Sequence, residues 1–106
     1  MKRIYLAGPM SSLPELNFPA FNAEAARLRG MGFDVVNPAE LCTDPHARWA
    51  DCMRVDIASL VTCDGLAMLP GSAFSRGALL ERYIAEQLDM LVFEAECITH
   101  GPGVGA

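Results

Sequence analysis

At 106 residues, with 52% hydrophobic and 20% charged side chains, the chain has enough apolar content for one core and too little length for two. Its net charge of −5, with Lys2 the one lysine among eight basic residues, leaves no basic stripe, so no polymeric nucleic-acid partner is expected. No stretch approaches the ~20 apolar residues of a membrane span, and the opening "MKRIYLAGPM" lacks the longer apolar run of a signal peptide. No membrane partner is therefore expected. Cys42, Cys52, Cys63 and Cys97 include no Cys-x-x-Cys pair and no nearby paired histidines, so neither a zinc site nor a disulfide framework is indicated. Four reduced thiols in a cytoplasm are the simplest reading. Asp44, His46 and Asp51 match no ligand pattern, and no metal is expected.

In chain order, "RIYLA" (residues 3 to 7) is a short β-prone run stopped by Gly8-Pro9, and the polar loop "MSSLPELN" follows. From Phe18 to Met31, Phe21, Ala25 and Leu28 recur at helical spacing, with Pro19 in the first turn and glycines at the end. "FDVVNP" is a strand cut by Asn37-Pro38. A loop through Pro45 leads to a helix from about Arg48 to Thr62, where Met53, Ile57, Leu60 and Val61 mark the expected buried side, joined by Trp49. "DGLAMLP" is a third strand, ended by Pro70-Gly71. Asp64, at its start, reads as a cap or stop for the preceding helix. "SRGALLERYIAEQL" is a helix whose expected buried side holds Leu79, Leu80, Tyr83, Ile84 and Leu88, with Arg82, Ala85 and Glu86 outward. "DMLVFEA" is a fourth strand, and the glycine-rich tail 97–106 reads as flexible or subunit-contacting.

Alternating strands and helices predict parallel strands, right-handed crossovers and helices on both faces. Ligands of such sheets lie beyond the carboxyl ends of the strands. Those ends carry Gly8, Pro9, Met10, Asn37, Gly71 and Ser72, the candidate substrate-binding residues, joined by Ser75 and Arg76 at a helix start suited to an anion. The "GPMSS" loop has neither a dinucleotide fingerprint nor the Lys-Ser/Thr ending of a phosphate-binding loop, and no cofactor is expected. Two acids are ambiguous. Asp56 falls at the margin of its helix, where charges are ordinarily solvated. Glu81 lies between the two sides of its helix with no i, i+4 partner, whereas Arg82 and Glu86 can pair. Two carboxylates reaching one crevice would suit substitution at an anomeric carbon, one attacking and the other assisting the leaving group, with a tyrosine such as Tyr5 holding the nucleophile.

"IYLAGPM", "NFPAFNAEAARLRGMGFDVVNPAE", "MRVDIASLVTCDGLAMLPG" and "SRGALLERYIAEQL" together resemble the nucleoside 2-deoxyribosyltransferase-like superfamily, and within it a branch of small bacterial and phage proteins, over residues 3 to 93. The resemblance implies one α/β domain over residues 1–106, a flavodoxin- or Rossmann-like three-layer sandwich with four or five parallel strands in the order 2-1-3-4. It implies cleavage of N-glycosidic bonds through a glutamyl-sugar intermediate. The family's strand tyrosine falls on Tyr5, its loop glycine on Gly8, its helix aspartate on Asp56 and its nucleophile on Glu81, with Ala85 completing the Glu-x-x-x-Ala motif. Six residues before the nucleophile the nucleoside transferases carry aspartate, and the 5′-monophosphate N-glycosidases carry a phosphate-binding serine. This chain has Ser75, then Arg76. It departs from the family at Tyr83, where glycine is usual.

The leading expectation is an enzyme that cleaves or transfers the N-glycosidic bond of a 2′-deoxynucleoside or its 5′-monophosphate. The alternative is a non-catalytic nucleotide-binding or sensing module on the same fold. A ligand-free oligomeric scaffold leaves the marginal acids unexplained. A homo-oligomer is expected, because a small domain with a bare sheet edge tends to pair.

Overall fold

The computed structural model describes residues 1–11, 13–44 and 46–103. Its strands are β1 (Arg3–Ala7), β2 (Asp34–Val36), β3 (Gly65–Met68) and β4 (Leu91–Glu94); its helices are α1 (Phe18–Gly30), α2 (Trp49–Leu60) and α3 (Arg76–Gln87). All strand pairs are parallel, in the order β2-β1-β3-β4, so the sheet has the predicted order with four strands among the described residues. Tyr5 lies level with Val36 on one side and Leu66 on the other, which puts its side chain in the centre of the sheet.

The two sheet faces carry separate cores. On one, Phe21, Ala25 and Leu28 of α1 pack against Ile4, Leu6 and Ala67. On the other, Leu60 of α2 and Ala78 and Ala85 of α3 pack around Tyr5, Ala7, Leu66 and Met68. The central strands β1 and β3 are buried on both sides, as the middle of a parallel sheet sandwiched by helices requires, while the edge strand β4 is largely exposed. The chain after β4 closes onto the first face: Ala95 and Ile98 are buried there, and the Arg27 guanidinium donates at 2.9 Å to both of their carbonyl oxygens. Of the tail 97–106, expected to be flexible or subunit-contacting, Ile98 is docked on this face, while residues 104–106 lie outside the described residues.

Four expectations are corrected. Asp64 does not cap α2; its carboxylate accepts from the backbone N–H groups of Lys2 and Arg3 at 3.0 and 2.9 Å, pinning the start of β1 to β3. In α2 the buried side is Met53, Asp56 and Leu60, with Ile57 half-buried and Val61 exposed beyond the helix end. In α3 the large apolar residues face outward, and the buried side is Ala78, Glu81 and Ala85. Small residues let α3 approach the sheet closely, so that Leu79, Leu80 and Tyr83 have no room beneath it. Finally, Cys42 and Cys52 form a disulfide with their Cα atoms 5.4 Å apart, leaving Cys63 and Cys97 free. The fold brings the two together across ten residues of chain, so the cysteines no longer argue for a reducing compartment. Among the described residues no helix is long and apolar enough to cross a membrane.

Candidate active site

The loops after β1 and β2, the first turns of α2 and α3, and the turn before α3 enclose a cleft of about 840 Å³. That is the size of a small-molecule site. Its position beyond the carboxyl ends of the strands is where open parallel sheets bind ligands.

The floor holds two acids. Glu81 is 4% exposed and Asp56 7%, and both line the cleft. Glu81 sits one turn into α3 on the side that faces the sheet, because Ala78 and Ala85 flank it with too little bulk to push the helix away. The Tyr5 hydroxyl rises from the middle of β1 and donates a hydrogen bond to Oε2 of Glu81. Burial drives the Glu81 carboxyl up to about 8; the Tyr5 hydrogen bond pulls the other way, and the nearby Asp56 charge adds to the rise. Burial also lifts Asp56 to about 6. Tyr5 is held well above its ordinary value, by burial first and then by the charges of Glu81 and Asp56, so it remains a donor. Oδ1 of Asp56 is out of contact with solvent and, among the described residues, lacks a hydrogen-bond partner. A buried polar atom left so is costly unless a ligand completes it.

The rim is built by the approach of α3 to α2. A Cβ on Gly77 would sit 3.2 Å from Sδ of Met53 and 3.8 Å from the Trp49 indole nitrogen, so the two helix starts are in close contact and a larger residue there would have to move the Met53 side chain. The Arg76 guanidinium lies over the Trp49 ring, 3.8 Å from its centre, and both residues line the cleft. Ser75 is the N-cap of α3: its Oγ accepts from the Ala78 N–H at 3.2 Å, and its hydroxyl hydrogen remains available as a donor. The Cys42–Cys52 disulfide also lines the cleft and ties the loop after β2 to the first turn of α2.

Of the sequence-predicted residues, Gly8, Pro9, Met10, Asp56, Ser75, Arg76 and Glu81 line the cleft, and Tyr5 reaches it through Glu81. Three do not line it. The Asn37 amide donates to Asn22 at 2.9 Å while its Oδ1 accepts from the Ala39 N–H at 3.1 Å, so it caps the turn after β2. The Ser72 hydroxyl donates to the Leu69 carbonyl. Gly71 has φ +86, a left-handed conformation that lets the turn after β3 fold back beside Pro9. These three shape the loops rather than face the cavity. Trp49 and the disulfide escaped the sequence reading. Helical spacing puts Trp49 on the buried side of α2, whereas it is 36% exposed and lines the cleft; the signal for this is its place in the first turn, where a helix of this fold meets the ligand crevice.

The family described as a domain of unknown function, DUF4406, matches residues 2–94. The chain belongs to the DUF4406 family. No curated protein matches it. Among solved structures, a 2-desoxiribosyltransferase from Leishmania mexicana superposes with a TM-score of 0.66 at 22% sequence identity, over 87% of this chain and 62% of that one. The chain thus spans less than two thirds of that protein's length, and at this identity the likeness shows a shared fold. Within that fold, this DUF4406 chain sets a buried acid pair under one cleft and a cation stacked on an indole at its rim.

Proposed function

We propose that the cleft is the site of an enzyme that cleaves or transfers the N-glycosidic bond of a 2′-deoxynucleoside or its 5′-monophosphate. The observation that carries this reading is Glu81: a carboxyl buried at a cleft floor, gripped by the Tyr5 hydroxyl and beside a second buried acid, Asp56. Nothing in the packing of α3 calls for a carboxylate there, since a buried charge costs stability. The likeness to the deoxyribosyltransferase fold supports the choice of a nucleoside.

In this mechanism a Glu81 carboxylate oxygen attacks C1′, forming a glycosyl ester as the C1′–N bond breaks. The bonding electrons leave with the base, which takes a proton from Asp56. Water or a second base then displaces Glu81 from C1′, with Asp56 accepting the proton of the incoming nucleophile. Between pH values of about 6 and about 8 the free pair holds one proton, and burial favours it on Glu81. Attack requires that proton on Asp56. A bound base offering a nitrogen to Asp56, with the electron-poor C1′ facing Glu81, shifts it there. A 5′-phosphate suits the start of α3, where the helix dipole, the Ser75 hydroxyl and Arg76 meet at the cleft. The Trp49 ring supplies a flat apolar wall beside them.

The test is chromatographic detection of free base from a panel of deoxynucleosides and their 5′-monophosphates, with and without an acceptor base. Base release from wild type, lost in Glu81→Gln, is expected. Saturable binding with an unchanged ligand across the panel would overturn the catalytic reading and leave a nucleotide-binding module.

A further inference from the structure

Part of the cleft lining is carried by a segment that the core does not hold. From Cys42 to Cys52 none of the described residues is buried. Among the described residues, every hydrogen bond made by residues 43–48 ends within 44–52. The Ala47 N–H donates to the Asp44 carbonyl and the His46 N–H to the Asp44 carboxylate, while the Arg48 guanidinium donates to Asp51 and the Arg48 carbonyl accepts from the Cys52 N–H. The buried anchors lie outside the segment, at Pro38 and Ala39 before it and at Met53 after it. Asp44, Ala47 and Trp49 of this segment nevertheless line the cleft. Two contacts tie it down: the Cys42–Cys52 bridge and the stacking of Arg76 over Trp49.

A stretch with so few buried contacts belongs to the least stable part of a fold. A covalent closure of its ends then does what packing does elsewhere. The bridge is also within reach of a reductant, because both cysteines are half-buried and line the cleft. Its chemistry favours opening. Cys52 lies in the first turn of α2, whose positive dipole end stabilises a thiolate leaving there. The acid in that turn, Asp51, is paired with Arg48.

We propose that the Cys42–Cys52 bridge is a thiol-reducible switch for the cleft, which grips its ligand when the bridge is closed and slackens when it opens. A thiolate attacks Sγ of Cys42, and the electrons of the S–S bond leave on Sγ of Cys52, which takes up a proton. A second thiolate attacks the mixed disulfide and releases Cys42. The protein gains two thiols and the reductant becomes a disulfide. Asp56 stays in place through this exchange, since it follows Met53 on the buried side of α2 with Leu60. Reduction therefore frees the segment that carries Trp49 and leaves the acids of the floor where they are. The switch holds whether the ligand is turned over or only bound; the choice of ligand for its test rests on the function proposed above.

The test compares the chain before and after incubation with reduced glutathione under native conditions. Denatured without reductant, the untreated chain should take two equivalents of iodoacetamide, at Cys63 and Cys97, and the treated chain four. Circular dichroism should be unchanged. Trp49 is the one tryptophan of the chain, so its emission should move to longer wavelength and become more quenchable by iodide as the Arg76 contact lets go. Calorimetric titration with 2′-deoxynucleoside 5′-monophosphates should show Kd raised at least about tenfold, the effect of leaving a tenth or less of the molecules with the segment in place. Oxidised glutathione should reverse each change, and the Cys42→Ser, Cys52→Ser double variant should give the reduced values with or without glutathione. Four alkylated cysteines before any treatment overturn the proposal. So does a bridge that opens only with loss of the circular dichroism signal, or one whose opening leaves both the Trp49 emission and Kd unchanged. If no monophosphate binds either form, the proposed function fails, and the Trp49 emission alone decides the switch, an unchanged spectrum overturning it.

Discussion

Helices α1 and α3 cover opposite faces of the same sheet with opposite logic. α1 buries Phe21, Ala25 and Leu28, and turns small and polar residues, among them Ala23, Ala26 and Arg29, to the outside. α3 buries two alanines and a carboxyl, and turns Leu79, Leu80 and Tyr83 outward. The first helix is placed by burying large apolar side chains, with Arg27 and Arg29 adding hydrogen bonds at its margin. The second gives up that contribution along much of its length, and what it gains is a slot next to the sheet in which Glu81 meets Tyr5. Where a helix inverts its expected polarity, its inner face is shaped for something other than packing, and in this chain that face opens into the cleft.

Paired substitutions break the comparison most directly. Glu81→Gln should lower base release by at least about 10³-fold, the scale of removing a reacting group, while the protein stays folded. Leu28→Ala should do the reverse. It empties the centre of the first core and should cost about 2–5 kcal/mol in denaturant unfolding, with base release kept in the fraction that remains folded. The pH dependence separates them again. Glu81 titrates near 8 when folded against an ordinary 4.5, so the folded state binds the proton more tightly than the unfolded one. Its contribution to stability is full below about pH 4.5 and is lost as pH rises to about 8, at up to about 1.4 kcal/mol per unit. Urea melts between pH 5 and 8.5 should show this decline in wild type and in Leu28→Ala, and a flatter line in Glu81→Gln.

The disulfide sits on the α2 side of the same cleft and extends the comparison to a covalent tie. Replacing Cys42 and Cys52 together by serine should lower stability by roughly 2–3 kcal/mol, the loop-closure value for so short a loop, and should loosen the α2 side of the cleft. A rise in KM larger than the fall in kcat would report that loosening. An unchanged melting temperature would count against any structural part for the bridge.

The elements themselves were legible because each strand is a short apolar run cut off by Gly8-Pro9, Asn37-Pro38 or Pro70-Gly71. Those breakers set the crossovers, and the crossovers set the sheet. The facing of α3 was not legible. A helical wheel assigns the inside to the greasier side, and only the distance between α3 and β3 reveals that alanines belong there. Glu81 and Asp56 therefore looked like margins of amphipathic helices, and a family resemblance, not periodicity, singled them out. Asn37, Gly71 and Ser72 were drawn into the site by their place at strand ends, a rule that locates loops but not the direction of their side chains. The Cys42–Cys52 bridge depends on the path of the chain after β2, which no local pattern encodes.

The smallest and most specific change is the loss of one oxygen. Tyr5→Phe keeps the ring in the middle of the sheet and removes only the hydroxyl that donates to Glu81. A hydrogen bond to a charged group contributes about 1.5–3 kcal/mol, so base release should fall about 10- to 100-fold. The direction of the pH shift identifies the cause. That hydrogen bond lowers the Glu81 value against the effect of burial, so without it the carboxyl holds its proton more strongly and the upper limb of the activity profile, near pH 8 in wild type, should move to higher pH. The state with Asp56 protonated and Glu81 ionised becomes rarer across the whole neutral range, which is why the plateau drops as the limb moves. If Tyr5→Phe lowered the plateau without moving the limb, Tyr5 would act on the sugar rather than on Glu81. The inner face of α3 would then be tuned by burial and Asp56 alone.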